Sequence, residues 1–175
     1  ERGGALPVSL IQGNIDQSIK WHPAFQRETL RIYTSLSRSF APDGEGLIVW
    51  PETAAPFFFQ DRDDRHLDVV SLALRTGNWL LIGSPSYIKE NGRTTLLNSA
   101  FLLSPDGRTI GQYDKVHLVP YGEYVPLRRF FPFISKIVAG IGDFRSGPGY
   151  EPLRMDGGRG SQKLGIMICY EGILP

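Results

Sequence analysis

Short apolar runs recur along the chain and predict the strands of a sheet. Residues 8–12, 47–50 and 79–83 are runs of this kind. Two further runs, at 95–103 and 109–113, follow Asn-Gly and Asp-Gly turn signals, which are typical of hairpins. The second group is therefore predicted to form antiparallel neighbours.

Between the first three runs, apolar residues recur at helical spacing. One helix is predicted to begin near Pro23, and a second is predicted to bury Leu67, Val70 and Leu74 and to stop at Gly77. Strand, helix, strand, helix and then a run of strands predicts an α/β fold in which a mixed sheet carries helices on one face.

The last apolar run, 163–168, is predicted to be a buried strand that delivers the only cysteine, Cys169, onto a turn marked by Gly172. Ligands of open α/β sheets bind at the carboxyl ends of the strands. Two other predicted strands run into Glu52 and Lys115. The three strand ends therefore offer a carboxylate, an ammonium and a thiol.

Three short motifs around these residues resemble the Glu, Lys and Cys motifs of the nitrilase superfamily. They are WPET at 50–53, YDKVHL at 113–118 and ICYE at 168–171. Three more segments resemble the apolipoprotein N-acyltransferases, bacterial enzymes that add the third acyl chain to lipoproteins. They are QGNI at 12–15, SIKW at 18–21 and HLVPYGEYVPL at 117–127.

The resemblance covers nearly the whole chain and implies a nitrilase-type α-β-β-α sandwich. Residues 1–175 are expected to form the N-terminal and central part of such a catalytic domain. The domains of this superfamily continue beyond the cysteine, so the sandwich is expected to be incomplete at its C-terminus. The transmembrane helices of the acyltransferase family are expected to lie outside this sequence.

The chemistry of the trio follows from the needs of a thiol nucleophile, which reacts as the thiolate. Glu52 is predicted to be the base that takes the proton of Cys169. Lys115 is predicted to stabilise the oxyanion and to favour the thiolate, and the backbone N–H of Tyr170 is predicted to complete the oxyanion hole. Each role requires the other two.

Further residues receive supporting roles. The resemblance implies that Glu123 is an essential acid that orients the ammonium of Lys115. Glu171 is expected to anchor the nucleophile's turn by accepting backbone N–H bonds, while Tyr170 shapes the acyl pocket. Trp21 is expected to border the lipid site, although a lone aromatic is equally typical of a core.

Between 126 and 144 the chain is densely apolar but interrupted by Arg, Lys, Gly and Pro. Two interpretations stay open: a loop packed on the core, or an apolar arm in the lipid interface that carries Phe130, Phe131 and Phe133. The Gly-rich stretch 147–160 is predicted to be a surface loop.

Composition narrows the possible partners. With 19 basic and 18 acidic residues the net charge is +1, which argues against a nucleic-acid surface. The three histidines lack Cys or carboxylate neighbours at metal-ligand spacing, and no Gly motif for phosphate precedes a helix, so neither a metal nor a cofactor is expected.

The resemblance implies ping-pong transfer of a fatty acyl chain from a phospholipid to the N-terminal amine of a diacylated apolipoprotein. The protein would act as a monomer on the membrane surface, at the periplasmic side of the bacterial inner membrane. Two alternatives stay open. One is a soluble amidase or carbamoylase that uses the same trio on a small C–N substrate, and the other is a non-catalytic binding domain that has kept the fold.

Overall fold

A five-stranded mixed sheet forms the centre of the structure, a computed structural model that describes residues 5–16, 20, 22–119, 144–158 and 160–173. Its strands are β1 (Val8–Leu10), β2 (Leu47–Val49), β3 (Trp79–Glu90), β4 (Arg93–Leu103) and β5 (Thr109–Asp114). They lie side by side in chain order; β1, β2 and β3 are parallel, whereas β4 is antiparallel to both β3 and β5. The predicted α/β class with a mixed sheet is confirmed.

A two-residue turn joins β3 to β4. Asn91 and Gly92 have φ values of 50° and 74°, and Glu90 pairs with Arg93 on either side of them. Two consecutive residues with positive φ are the requirement of the hairpin turn that matches the twist of the strands. The hairpin predicted from Asn-Gly is confirmed.

Two helices cover one face of the sheet. Helix α1 (Pro23–Ser39) has Pro at its first position, where no N–H is needed. Helix α2 (Asp64–Thr76) begins after Asp63, whose carboxylate accepts two backbone N–H bonds, and it ends at Gly77 with φ of 63°. The predicted glycine stop is confirmed.

The helices and the sheet enclose the main apolar core. Its central members are Ile48, Leu80, Ile82, Phe101 and Leu103 from the strands, and Leu30, Tyr33, Val69 and Leu72 from the helices. Trp50, just past β2, is buried in the same core, and its indole N–H donates to Ser37 Oγ at 2.8 Å. The end of β2 is thereby held against α1.

The predicted buried face of α2 is correct for Val70, which packs against the core, but wrong for Leu67 and Leu74. Leu67 and Leu74 are 59% and 56% exposed, whereas Leu72 is fully buried together with Val69 and Ala73. The apolar residues of this helix cover an arc wider than the face that is buried, so periodicity alone does not select which of them are buried. Contact with the sheet makes the choice.

The opposite face of the sheet carries a hairpin of two short strands, β6 (Leu153–Gly157) and β7 (Gly160–Leu164). Leu153 and Met155 pack against Ala100, Leu102 and Tyr113 in a second core. The prediction of a surface loop over 147–160 is therefore wrong at 153–157. Two apolar side chains, two residues apart on one face, are enough to dock this Gly-rich segment.

The buried strand predicted at 163–168 is also only partly correct. Strand β7 ends at Leu164, and no regular element spans 165–168. The N–H of Ile168 donates to the Glu171 carboxylate at 2.8 Å rather than to a neighbouring strand. A short 3-10 helix, Cys169–Ile173, follows directly.

The apolar stretch 126–144 lies outside the described residues up to 143. Its last residue, Phe144, forms an isolated bridge to Leu96 of β4, and the N–H of Arg145 donates to the same Leu96. The chain therefore returns to the sheet beside β4, past the end of β5. Among the described residues, no helix has the length and apolar character needed to cross a bilayer.

The packing of α2 predicts opposite outcomes for two similar substitutions. Leu72→Ala should lower the free energy of unfolding by about 2–5 kcal/mol because it leaves a cavity in the core. Leu74→Ala, on the exposed side of the same helix, should change it by no more than about 0.5 kcal/mol. Urea unfolding of both variants checks this, and equal losses would contradict the packing described.

Candidate active site

Glu52 lies in a tight turn directly after β2. The next residue, Thr53, has φ of 50°, a left-handed conformation that is strained for a β-branched side chain. The turn rests on β3 at Gly83, where a β-carbon would meet the Pro51 carbonyl oxygen and lie 2.7 Å from Glu52 Cα. Only glycine allows the acid to sit this close to the sheet.

Lys115 reaches the same edge from β5. Because β4 runs back across the sheet, β5 is parallel to β2 and both end on one side. The Lys115 side chain is only 1% exposed, and its Nζ lies 3.5 Å from Glu52 Oε1. A buried ammonium is costly unless it is paired, so this contact ties the two strand ends together.

Asn98 of β4 links both partners. Its backbone oxygen accepts the N–H of Lys115 at 2.8 Å, and its side-chain amide donates to Glu52 Oε1 at 2.6 Å. The carboxylate oxygen that faces the ammonium is thus also oriented by an amide. Sequence reasoning did not place Asn98 at the carboxylate, since only the β4–β5 register brings it there.

Cys169 begins the 3-10 helix in a left-handed conformation, with φ of 52°. For a residue other than glycine this costs about 1–3 kcal/mol and persists only where the surroundings impose it. The Glu52 carboxylate, the Lys115 ammonium and the backbone N–H of Tyr170 all lie close enough to the thiol to act on its pKa. The structure thus brings together Glu52, Lys115 and Cys169, the three residues that the sequence singles out.

The surroundings raise the pKa of the Cys169 thiol. Loss of water and the negative charge of Glu52 raise it, and they outweigh Lys115 and the Tyr170 N–H, which lower it. Lys115 thus favours the thiolate, as predicted, but burial and Glu52 outweigh it. A thiol that keeps its proton until a neighbouring carboxylate takes it is what general-base catalysis needs.

Glu171 anchors the turn that carries Cys169. This carboxylate is 3% exposed and accepts backbone N–H bonds from Val116, His117 and Ile168 at 2.7, 3.1 and 2.8 Å. The Tyr113 hydroxyl lies 2.9 Å from both carboxylate oxygens. Glu171 therefore binds the segment after Lys115 to the segment before Cys169.

These contacts decide the protonation of Glu171. Burial alone would raise its pKa, but the donors from Ile168, His117, Val116 and Tyr113 outweigh it and lower the pKa. Glu171 accordingly acts as a structural anion. Burial, and then the bond to Glu171, raise the pKa of Tyr113.

A second buried lysine, Lys20, lies on the other side of the Glu52 turn. Its Nζ donates to Thr53 Oγ1 at 2.6 Å and to the Glu52 carbonyl oxygen at 3.3 Å. Lys20 lies within the SIKW motif, but the motif predicted a role only for the neighbouring Trp21. No local pattern marks Lys20, since its partners are about thirty residues away.

The other predicted site residues are distributed as follows. Tyr170 follows the nucleophile and is 37% exposed. Trp21, Glu123, Phe130, Phe131 and Phe133 lie outside the described residues, and their roles stay predictions. Within the described ranges, His, Cys, Asp and Glu side chains form no group of three that could hold a metal ion.

A mixed α/β sheet with a carboxylate, an ammonium and a thiol gathered at one edge defines a nitrilase-type domain. A sequence model of the carbon-nitrogen hydrolase family matches residues 8–175. The chain belongs to the carbon-nitrogen hydrolase family.

Two proteins with similar sequences carry the same name. The apolipoprotein N-acyltransferase of Geobacter metallireducens is 51% identical over 176 aligned residues, which cover 100% of this chain and 33% of the relative. That of Brucella suis is 32% identical over 100% of this chain and 34% of its own length. The chain thus spans about a third of the length of these relatives.

Solved structures agree on the fold. A carbon-nitrogen hydrolase from Helicobacter pylori G27 superposes with a TM-score of 0.56 at 19% identity, covering 95% of this chain and 52% of that one. An N-terminal amidase superposes with a TM-score of 0.59 at 17% identity, covering 89% of this chain and 34% of that one. At such identities the likeness concerns architecture alone.

The anchor carboxylate predicts a pH-dependent stability. Because the pKa of Glu171 is lowered on folding, its contribution is fully present above the ordinary Glu pKa and is lost as pH falls through the folded-state value. Glu171→Gln should lower the free energy of unfolding near neutrality by about 2 kcal/mol or more. The difference from the wild type should shrink on acidification, as measured by urea unfolding from about pH 7 to about pH 2, a range that extends below the ordinary Glu pKa.

The exposed Glu151 provides the matched control. Glu151→Gln should leave both the stability and its pH dependence near those of the wild type. A difference for Glu171→Gln that stays constant or grows on acidification would contradict the anchor role.

The contact at Gly83 predicts a change in the nucleophile's reactivity. In Gly83→Ala the new methyl group should push the Glu52 turn off the sheet and lower stability by about 1–3 kcal/mol. Since the charge of Glu52 raises the pKa of Cys169, alkylation of Cys169 by iodoacetamide should then reach its midpoint at lower pH. Gly149→Ala, where a β-carbon meets open space, should behave like the wild type, and an unchanged midpoint in Gly83→Ala would refute the argument.

Proposed function

We propose that this chain carries the catalytic residues of an acyltransferase that moves a fatty acyl chain onto the N-terminal amine of a diacylated apolipoprotein. One observation carries the chemistry. The Glu52 carboxylate acts on the Cys169 thiol and lies 3.5 Å from the buried ammonium of Lys115. This is the geometry of a nucleophile, its base and an oxyanion stabiliser.

In the first half-reaction the Cys169 sulfur attacks the ester carbonyl carbon of a phospholipid while Glu52 takes the thiol proton. The Lys115 ammonium and the Tyr170 N–H stabilise the oxyanion of the tetrahedral intermediate. Collapse breaks the ester C–O bond, and the lysophospholipid oxygen takes the proton from Glu52. A thioester on Cys169 remains.

In the second half-reaction the free amine of the diacylglyceryl-cysteine attacks the thioester. Glu52 accepts the proton that the amine loses, and Lys115 again stabilises the oxyanion. Collapse breaks the C–S bond to give an amide, and the proton returns from Glu52 to the departing sulfur. The active site is then restored.

The choice of substrates rests on kinship. Relatives named apolipoprotein N-acyltransferase align over the full chain at up to 51% identity, whereas the amidase structures share fewer than one residue in five. The acyltransferase is therefore favoured over a soluble amidase. The catalytic trio, held by several anchors, likewise favours an enzyme over a binding domain.

The same kinship supports the setting of the reaction. Residues 1–175 would form the N-terminal and central part of the catalytic domain of a longer enzyme. That enzyme would act as a monomer at the periplasmic side of the inner membrane, with phospholipid as donor and a diacylated apolipoprotein as acceptor. Trp21 and Phe130, Phe131 and Phe133 would contact lipid, and Glu123 would orient Lys115.

The mechanism predicts a covalent intermediate that accumulates without the acceptor. The intact enzyme, incubated with phospholipid alone, should gain one acyl mass on the peptide that contains Cys169. Cys169→Ala should gain none, and Glu52→Gln should form the adduct at least about 100-fold more slowly because it lacks the base. Mass spectrometry reads all three.

A small amide offered as the substrate supplies the decisive comparison. Turnover of a small amide with no acyl mass from phospholipid would overturn the acyltransferase in favour of an amidase. An adduct that persists in Cys169→Ala would overturn the assignment of the nucleophile.

A further inference from the structure

Two buried lysines flank Glu52, but only one touches its carboxylate. Lys115 lies 3.5 Å from Glu52 Oε1, whereas Lys20 donates to the backbone oxygen of Glu52 at 3.3 Å. Lys20 is 9% exposed, so its ammonium gives up most of its contact with water. Burying an ammonium in this way is costly, and here its bonds go to the turn.

The turn is the part of the site that needs holding. Thr53 is left-handed, and its neighbour Ala54 closes the turn through a 3.1 Å bond from its N–H to the Pro51 oxygen. The Lys20 bond to Thr53 Oγ1, at 2.6 Å, fixes the strained residue itself. Gly83 lets the turn pack closely against β3, and Lys20 holds the turn through two hydrogen bonds.

We propose that Lys20 is a positioning residue for the acyl-transfer reaction: by holding the backbone at Glu52 and the hydroxyl of Thr53, it aims the Glu52 carboxylate at Lys115, Asn98 and the thiol. The inference rests on the proposed function where it concerns acyl transfer. Lys20 itself need not touch the substrate. Its role is distinct from that of Lys115, which faces the reacting atoms.

Removal of Lys20 should shift the titration of the Cys169 thiol in opposite directions, depending on whether Lys20 positions Glu52 or acts only through its charge. The charged groups that act on the Cys169 thiol are Glu52, which raises its pKa, and Lys115, which lowers it; Lys20 and Lys115 both act on Glu52. If Lys20 positions Glu52, its loss frees the thiol from the carboxylate, and the thiol titrates at lower pH. If Lys20 acts only as a positive charge, its loss makes the thiolate harder to form, and the thiol titrates at higher pH.

The test compares Lys20→Met and Thr53→Val in the intact protein. Thr53→Val removes the hydroxyl acceptor but keeps the shape, the β-branch and every charge. For both variants we expect the iodoacetamide midpoint of Cys169 to move to lower pH. Acyl transfer should fall about 10- to 100-fold, because a base displaced by an ångström loses much of its effect.

Two controls accompany these variants. Lys163→Met removes an exposed lysine on β7 and should leave the midpoint and the transfer rate unchanged. Thr53→Ser retains a hydroxyl and should move the midpoint less than Thr53→Val does. Thermal unfolding of each variant separates a general loss of stability from a change at the thiol.

A midpoint that stays in place or rises in Lys20→Met would overturn the proposal, as would a Thr53→Val that titrates like the wild type. Should Lys20→Met fail to fold, Thr53→Val alone decides. Alkylation needs no acyl donor. Failure of the wild type to form an acyl adduct would therefore count against the proposed function and leave the role of Lys20 to the alkylation data.

Discussion

The contact between a buried ammonium and a carboxylate at one sheet edge is the constraint on which the rest of the structure depends. An ammonium removed from water loses several kcal/mol of solvation, which only a well-placed anion and good hydrogen bonds can offset. The Lys115 side chain is 1% exposed, and its ammonium is paired with the Glu52 carboxylate. The fold must therefore deliver two residues 63 positions apart to the same point, and the sheet topology does so.

The meeting of Glu52 and Lys115 depends on the register of β5 against β4 as much as on the order of the strands. The β4–β5 ladder contains an irregularity between Leu102 and Leu103, where one residue of β5 is left over. Beyond it, Tyr113 pairs with Ala100, and the Lys115 N–H bonds to Asn98. A slip of one residue would turn Lys115 to the helix-covered face, because successive side chains alternate. The irregularity in β4–β5 is thus part of how the site is assembled.

Sequence motifs were sufficient to single out Glu52, Lys115 and Cys169, which the structure brings together, and Asn-Gly was sufficient for the β3–β4 hairpin. Sequence motifs were not sufficient where contacts between distant parts of the chain decide which residues are buried or which elements form. Leu72 rather than Leu74 is buried because the apolar arc of this helix is wider than the face that packs on the sheet. The strand at Leu153–Gly157 has too few β-branched residues to be recognised, and it forms because Leu153 and Met155 find the second core. Lys20 and Asn98 acquire their places only through partners distant in the chain.

The turn at Glu52 and the turn at Cys169 each contain one strained residue, and each turn is held by its own buried charged side chain. Thr53, beside Glu52, and Cys169 both take left-handed conformations that their side chains disfavour. Each strained residue has an ionised, buried side chain bonded to its own turn: the Lys20 ammonium for the first and the Glu171 carboxylate for the second. The charges suit their tasks, since an ammonium holds oxygen acceptors and a carboxylate gathers N–H donors. Because each anchor binds its turn through the backbone or a neighbouring hydroxyl, the carboxylate of Glu52 and the thiol of Cys169 are left free for the proton exchange of the proposed reaction. Positioning and reactivity are in this way assigned to different residues.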